Sequence, residues 1–134
     1  MAKVSDIEGI GPVNEEKLNG AGIKTVNGLL KACCDKKGRK STADATGIDE
    51  KQLLKWANMA DLYRIKGICS EYSELLEAAG VDTVKELRNR NAENLHAKMA
   101  EVNAEKKLVR QLPALSRVED FVAQAKGLDP VITH

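Results

Sequence analysis

Aromatic side chains are scarce in this 134-residue chain: Trp56, Tyr63, Tyr72 and Phe121 make up 3% of it. A core with so few rings is built from Leu, Ile, Val, Ala and Met, which favours helices over an aromatic-rich sandwich. A surplus of either charge is also missing. Lys and Arg number 21 against 20 Asp and Glu, a formal net charge of +1. That balance excludes a histone-like or polybasic mode of nucleic-acid binding. A local basic patch on phosphates stays open, because a neutral chain can still concentrate cations. No stretch approaches the ~18 uninterrupted apolar residues that span a bilayer, and Met-Ala-Lys-Val-Ser-Asp lacks an apolar signal core. No membrane partner is expected. Cysteines are few and odd in number: Cys33, Cys34 and Cys69. Adjacent cysteines rarely bridge each other, so a reducing, cytoplasmic compartment is expected. The 43% apolar content is still too high for a disordered chain.

What is present is a repeat. IEGIGPVNEEKLNGAGIKTVNGLL, from Ile7 to Leu30, lies without a gap on IKGICSEYSELLEAAGVDTVKELR, from Ile65 to Arg88. Ten of the 24 positions are identical, among them Gly9/Gly67, Ile10/Ile68, Gly22/Gly80 and the Thr-Val pairs at 25–26 and 83–84. TGIDEKQLLK (46–55) pairs more loosely with EVNAEKKLVR (101–110). The chain reads as a tandem duplication, 1–61 and 62–134. No Pro/Gly/Ser-rich linker marks the seam, so the halves are expected to pack as one helical body.

Local signals identify the elements as helices. Capping boxes stand at Ser5-x-x-Glu8, Asp49-x-x-Gln52, Thr83-x-x-Glu86 and Ser116-x-x-Glu119. Gly22, Gly80 and Gly127 sit where helices should stop, as glycines that tolerate positive φ. Apolar residues recur at helical spacing at Leu53, Trp56, Ala57 and Ala60, and again at Val118, Phe121, Val122 and Ala125. Helices are predicted over about 13–21, 26–34, 42–46, 50–63, 70–79, 84–90, 92–102, 104–112 and 117–126, with ends good to ~2–4 residues. Their apolar stripes read as core.

One motif carries chemistry. In Glu8-Gly9-Ile10-Gly11-Pro12, two glycines allow backbone angles a side chain forbids, and Ile10 can point inward. Pro12 suits a first helical turn. Backbone N–H groups beside a helix N-terminus then suit an anion such as a phosphate. The hairpin resembles that of the helix-hairpin-helix family, found in archaeal recombinases, DNA-repair nucleases, ligases and junction-binding proteins. The wider series, including LLKWANMADLYRIKG, LLEAAGVDTVKELRNRN, ENLHAKMAEVN and RVEDFVAQAK, resembles a family catalogued as a domain of unknown function. That resemblance implies an all-α fold of two tandem paired helix-hairpin-helix units. It implies phosphate contact at Gly9, Ile10 and Gly11, helped by Lys17. A second hairpin at Thr46-Gly47-Ile48 keeps one glycine. A third, at Gly67, has lost the second glycine but is flanked by Arg64 and Lys66. A fourth, around Val102-Asn103, is expected to be structural.

The densest basic cluster is Lys36-Lys37-Gly38-Arg39-Lys40, expected in a loop. It suits a phosphate backbone or is simply solvated. Residues 1–60 carry 10 basic and 8 acidic groups, and residues 61–134 carry 11 and 12. Any nucleic acid is therefore expected on the first half. Cys33, Cys34, Cys69, His96 and His134 lack the short paired spacing of a zinc site. No metal, cofactor or catalytic residue is expected. Two readings follow: a non-enzymatic module that binds DNA or RNA through hairpin amides, or a protein-interaction scaffold on the same fold.

Overall fold

A computed structural model describes residues 2–7 and 9–133. Among them it is all-helical, with no strand; an isolated antiparallel bridge joins Lys3 and Thr25. A 3-10 turn, Val4–Asp6, precedes eight helices: α1 Pro12–Gly20, α2 Val26–Cys33, α3 Lys36–Thr46, α4 Glu50–Leu62, α5 Ser70–Ala78, α6 Val84–Arg88, α7 Ala92–Lys106 and α8 Leu115–Lys126. No helix is long and apolar enough to cross a membrane among these residues.

The chain divides into two compact units. One is Met1–Asp61 with Val131–His134, and the other is Leu62–Pro130. The segment beginning at Val131 thus belongs with the first unit, not with the 62–134 half in which its sequence position places it. In the first unit, α2 packs on α3 and α1 meets α3. Leu18, Leu29, Leu53 and Trp56 are almost fully buried there. In the second, α8 packs on α6 and α7, and α5 on α7, around Leu75, Leu76, Leu87, Met99 and Phe121. The scarce rings Tyr72 and Phe121 pair here at 6.2 Å between centroids, tilted by 53°.

Local chemistry explains most helix ends. Thr25, Asp35, Thr83 and Asn91 each accept a first-turn amide, at the starts of α2, α3, α6 and α7. The expected cap at Thr83 is present. Ser116 instead lies inside α8, which opens after Ala114 without a side-chain cap. The box at Ser5 extends to Glu8, outside the described residues. Gly22 and Gly80 take φ of 84° and 95° after their helices, whereas Gly127 stays right-handed at −89°.

Two segments depart from the sequence reading. Residues 36–41, expected in a loop, are the first turns of α3. Asp35 Oδ1 accepts from Gly38 N at 2.7 Å, and a Cβ on Gly38 would strike the Ala32 carbonyl oxygen. Glycine there lets α3 start hard against the end of α2. In the second unit, helices expected over 92–102 and 104–112 are replaced by the continuous α7 and a loop. The Asn103 amide donates to Val109 O at 3.1 Å and accepts from Val109 N at 3.0 Å. This two-way link holds the loop open, so Leu108, Val109 and Leu112 line a loop despite their helix-like spacing. The proposed fourth hairpin at Val102-Asn103 therefore lies within α7.

Candidate functional site

Each unit opens on the same turn. Ile10 N donates to Ile7 O at 3.2 Å, and Ile68 N to Ile65 O at 3.1 Å. The third residues of these turns, Gly9 and Gly67, have φ of 94° and 100°, a region costly for any side chain. All four isoleucines are buried. They pin the hairpins to the cores, leaving Gly9 and Gly67 exposed.

The first hairpin runs directly into α1. Gly11 is its N-cap and Pro12 its first residue, and no side chain caps the helix. The amides of Val13 and Asn14 have no acceptor among the described residues. Gly11 corrects one expectation. Its φ is −85°, an ordinary angle, and nothing lies within 4 Å of where a Cβ would stand. Neither backbone nor packing requires glycine there; its effect is to leave the helix end bare. Beneath the hairpin lies Trp56, whose Nε1 is 3.7 Å from the position of a Cβ on Gly9. The indole is buried, and its N–H has no hydrogen-bond partner among the described residues. Lys17 is in the last turn of α1, while Glu15 is in the first. It stands away from the hairpin amides.

The other glycine turns differ. Gly47 ends α3 in a left-handed conformation, with its N–H on Ala43 O. The next amide, Ile48 N, is taken by the Thr46 hydroxyl at 3.2 Å. At the Gly67 turn, α8 closes in. Gln124 accepts from Lys66 N at 2.8 Å and donates to Lys66 O at 3.0 Å. A Cβ on Gly67 would stand 3.1 Å from Phe121 Cε1 and 3.2 Å from Arg117 Nη2. The Arg117 guanidinium lies 5.8 Å from the Phe121 ring centroid, a cation–π contact. Arg64 donates to Asp129 O at 2.9 Å, while the Lys66 side chain is exposed. Arg117 is a cation at this turn that sequence reading missed.

The basic cluster is split by its helix. Lys36, Lys37 and Lys40 are exposed on α3, with Lys31 exposed on α2. None of the four has an ion-pair partner among the described residues. Arg39 faces the other way. It is 4% exposed, and its guanidinium donates to Cys33 O at 3.0 Å and Thr133 O at 2.7 Å. It is withdrawn from the surface the sequence assigned it to.

A family model described as a domain of unknown function, DUF4332, matches residues 8–128. The chain belongs to that family. No solved structure matches the chain. The DUF4332 match contains both hairpin glycines, the α3 lysines and Arg117, and stops short of residues 131–133. Within it the three cysteines are free. Burial pushes the Cys33 thiol above its usual range, partly offset by a hydrogen bond with Thr42 and by the Arg39 charge.

Proposed function

We propose that this chain is a non-enzymatic binding module of the helix-hairpin-helix type, taking the phosphate backbone of DNA or RNA at its first hairpin. Gly11 carries the reading. A glycine that neither φ nor packing demands stands at an uncapped helix start, with two amides behind it that have no acceptor among the described residues. A phosphate oxygen satisfies such amides, and the helix dipole favours its charge. The exposed Lys31, Lys36, Lys37 and Lys40 add unpaired positive charge to the same unit. Contacts of this kind are blind to base sequence. Gly47, with its neighbouring amide occupied, and the braced turn flanked by Arg64 and Lys66 are weaker places for the same contact.

The test is a titration of labelled duplex, junction and single strand by fluorescence anisotropy. Binding is expected to weaken with salt, log K falling by about 0.9 per decade of salt for each phosphate neutralised. Gly11→Glu, and separately the joint change of Lys36, Lys37 and Lys40 to Gln, should each weaken it. No binding to any of the three at low salt ends the nucleic-acid reading and leaves the protein-interaction scaffold. Binding untouched by both variants moves the site elsewhere.

A further inference from the structure

Arg39 does something a surface cation does not. It is buried on α3, yet its guanidinium donates to two carbonyl oxygens, Cys33 O at the end of α2 and Thr133 O. Thr133 in turn donates its N–H to Cys34 O at 2.8 Å. Ile132, between these contacts and Val131, is buried, while Val131 and Thr133 are exposed. The corner between α2 and α3 is therefore a notch filled by a short segment outside any helix. It recognises backbone at Thr133 through a guanidinium and a carbonyl, and the neighbouring Ile132 side chain is buried. This is main-chain recognition with a single side-chain requirement, the logic by which proteins hold extended peptides.

The notch and its occupant have different standing in the chain. Cys33, Cys34 and Arg39 lie within the family match, and residues 131–133 lie beyond it. The segment returns to the first unit only after the whole of Leu62–Pro130. Among the described residues it is held by two hydrogen bonds and one buried side chain, a contact small enough to open without unfolding the unit.

We infer that the α2–α3 corner is an exchangeable peptide-binding notch, filled within the chain by Val131–Thr133 and able to take the same segment from a second copy. Such an exchange keeps every contact and changes only which copy supplies the segment. Arg39 selects the peptide carbonyl, Cys34 O the peptide N–H, and an aliphatic residue between them seats the segment.

The experiment uses full-length variants that separate notch from segment. Ile132→Asp keeps the notch and spoils the segment; Arg39→Gln spoils the notch and keeps the segment. A labelled synthetic peptide of residues 128–134 is titrated against each by anisotropy, with folding checked by circular dichroism. Saturable binding is expected to Ile132→Asp. It should be about ten-fold weaker, or more, both to the unaltered chain, whose notch is filled, and to the Arg39→Gln, Ile132→Asp double variant. Mixing the two single variants should give a heterodimer in sedimentation velocity that neither forms alone. If Ile132→Asp does not fold, Thr133→Pro replaces it, because it removes the N–H given to Cys34 O. Peptide that binds neither folded receptor, or binds regardless of Arg39, overturns the notch. A mixture that stays monomeric overturns the exchange.

Discussion

The two hairpins share a turn and differ in what presses on it. At Gly9 the neighbour is an indole edge at an ordinary contact distance, and the helix that follows starts bare. At Gly67 the neighbours are Phe121 and Arg117 at crowded distances, and Gln124 pairs with the backbone of Lys66 on both sides. In each unit a helix covers the turn, α4 in the first and α8 in the second. Leu53, Trp56, Ala57 and Ala60 of α4 are buried at the same spacing as Val118, Phe121, Val122 and Ala125 of α8. The same backbone turn thus has two surroundings: an uncapped helix start follows Gly9, and α8 clasps the turn at Gly67.

Replacing each glycine breaks or sharpens this contrast most directly. Gly67→Ala should destabilise by about 2–3 kcal/mol, combining positive-φ strain with overpacking against Phe121 and Arg117. Gly9→Ala should lose only the strain, about 1–2 kcal/mol. Urea melts of the two variants decide the matter, and equal losses would erase the difference in bracing. Next in size is Gln124→Ala, which removes two hydrogen bonds to Lys66 and should lose about 1–2 kcal/mol. Hydrogen exchange at the Lys66 amide should accelerate, with the Ile10 amide of the other turn unchanged.

Arg117→Ala should cost under about 1 kcal/mol alone, since the guanidinium is exposed and its ring contact is weak. Combined with Gly67→Ala it should recover part of that variant's loss, because the crowding atom has gone. A double-mutant cycle with strict additivity would show that Arg117 does not press on the turn. Smallest is Gly11→Ala, within about 0.5 kcal/mol of the parent, because its φ is ordinary and its surroundings open. A clear loss of melting temperature there would mean that Gly11 serves the fold after all.

Much of this was legible in the residues. The buried stripes of α4 and α8, the cap at Thr83 and the positive-φ glycines at 22 and 80 all follow from spacing and side-chain chemistry. The start of α3 was hidden because its inward position is Arg39. A buried arginine leaves no apolar stripe, and Lys-Lys-Gly-Arg-Lys then reads as a loop. The loop after α7 deceived in the opposite sense. Its aliphatics have helical spacing, but Asn103 ties Val109 down through a side-chain contact that no periodicity reports. Residues 101–110, loosely matched to 46–55, hold the end of α7 and the start of a loop; α8 is the counterpart of α4. Extending the repeat to set Trp56 against Phe121 would have brought Arg117 to the Gly67 turn. Gly11 needed coordinates, because only they show that its backbone makes no demand for glycine.

Trp56 makes the first hairpin self-reporting. It is the sole tryptophan in the sequence, and its donor hydrogen, close to Gly9, is unclaimed among the described residues. Indole emission responds to polarity and hydrogen bonding at that nitrogen. The unlabelled protein therefore carries a single optical probe under one of its two matching turns, with no tryptophan under the other to blur the signal.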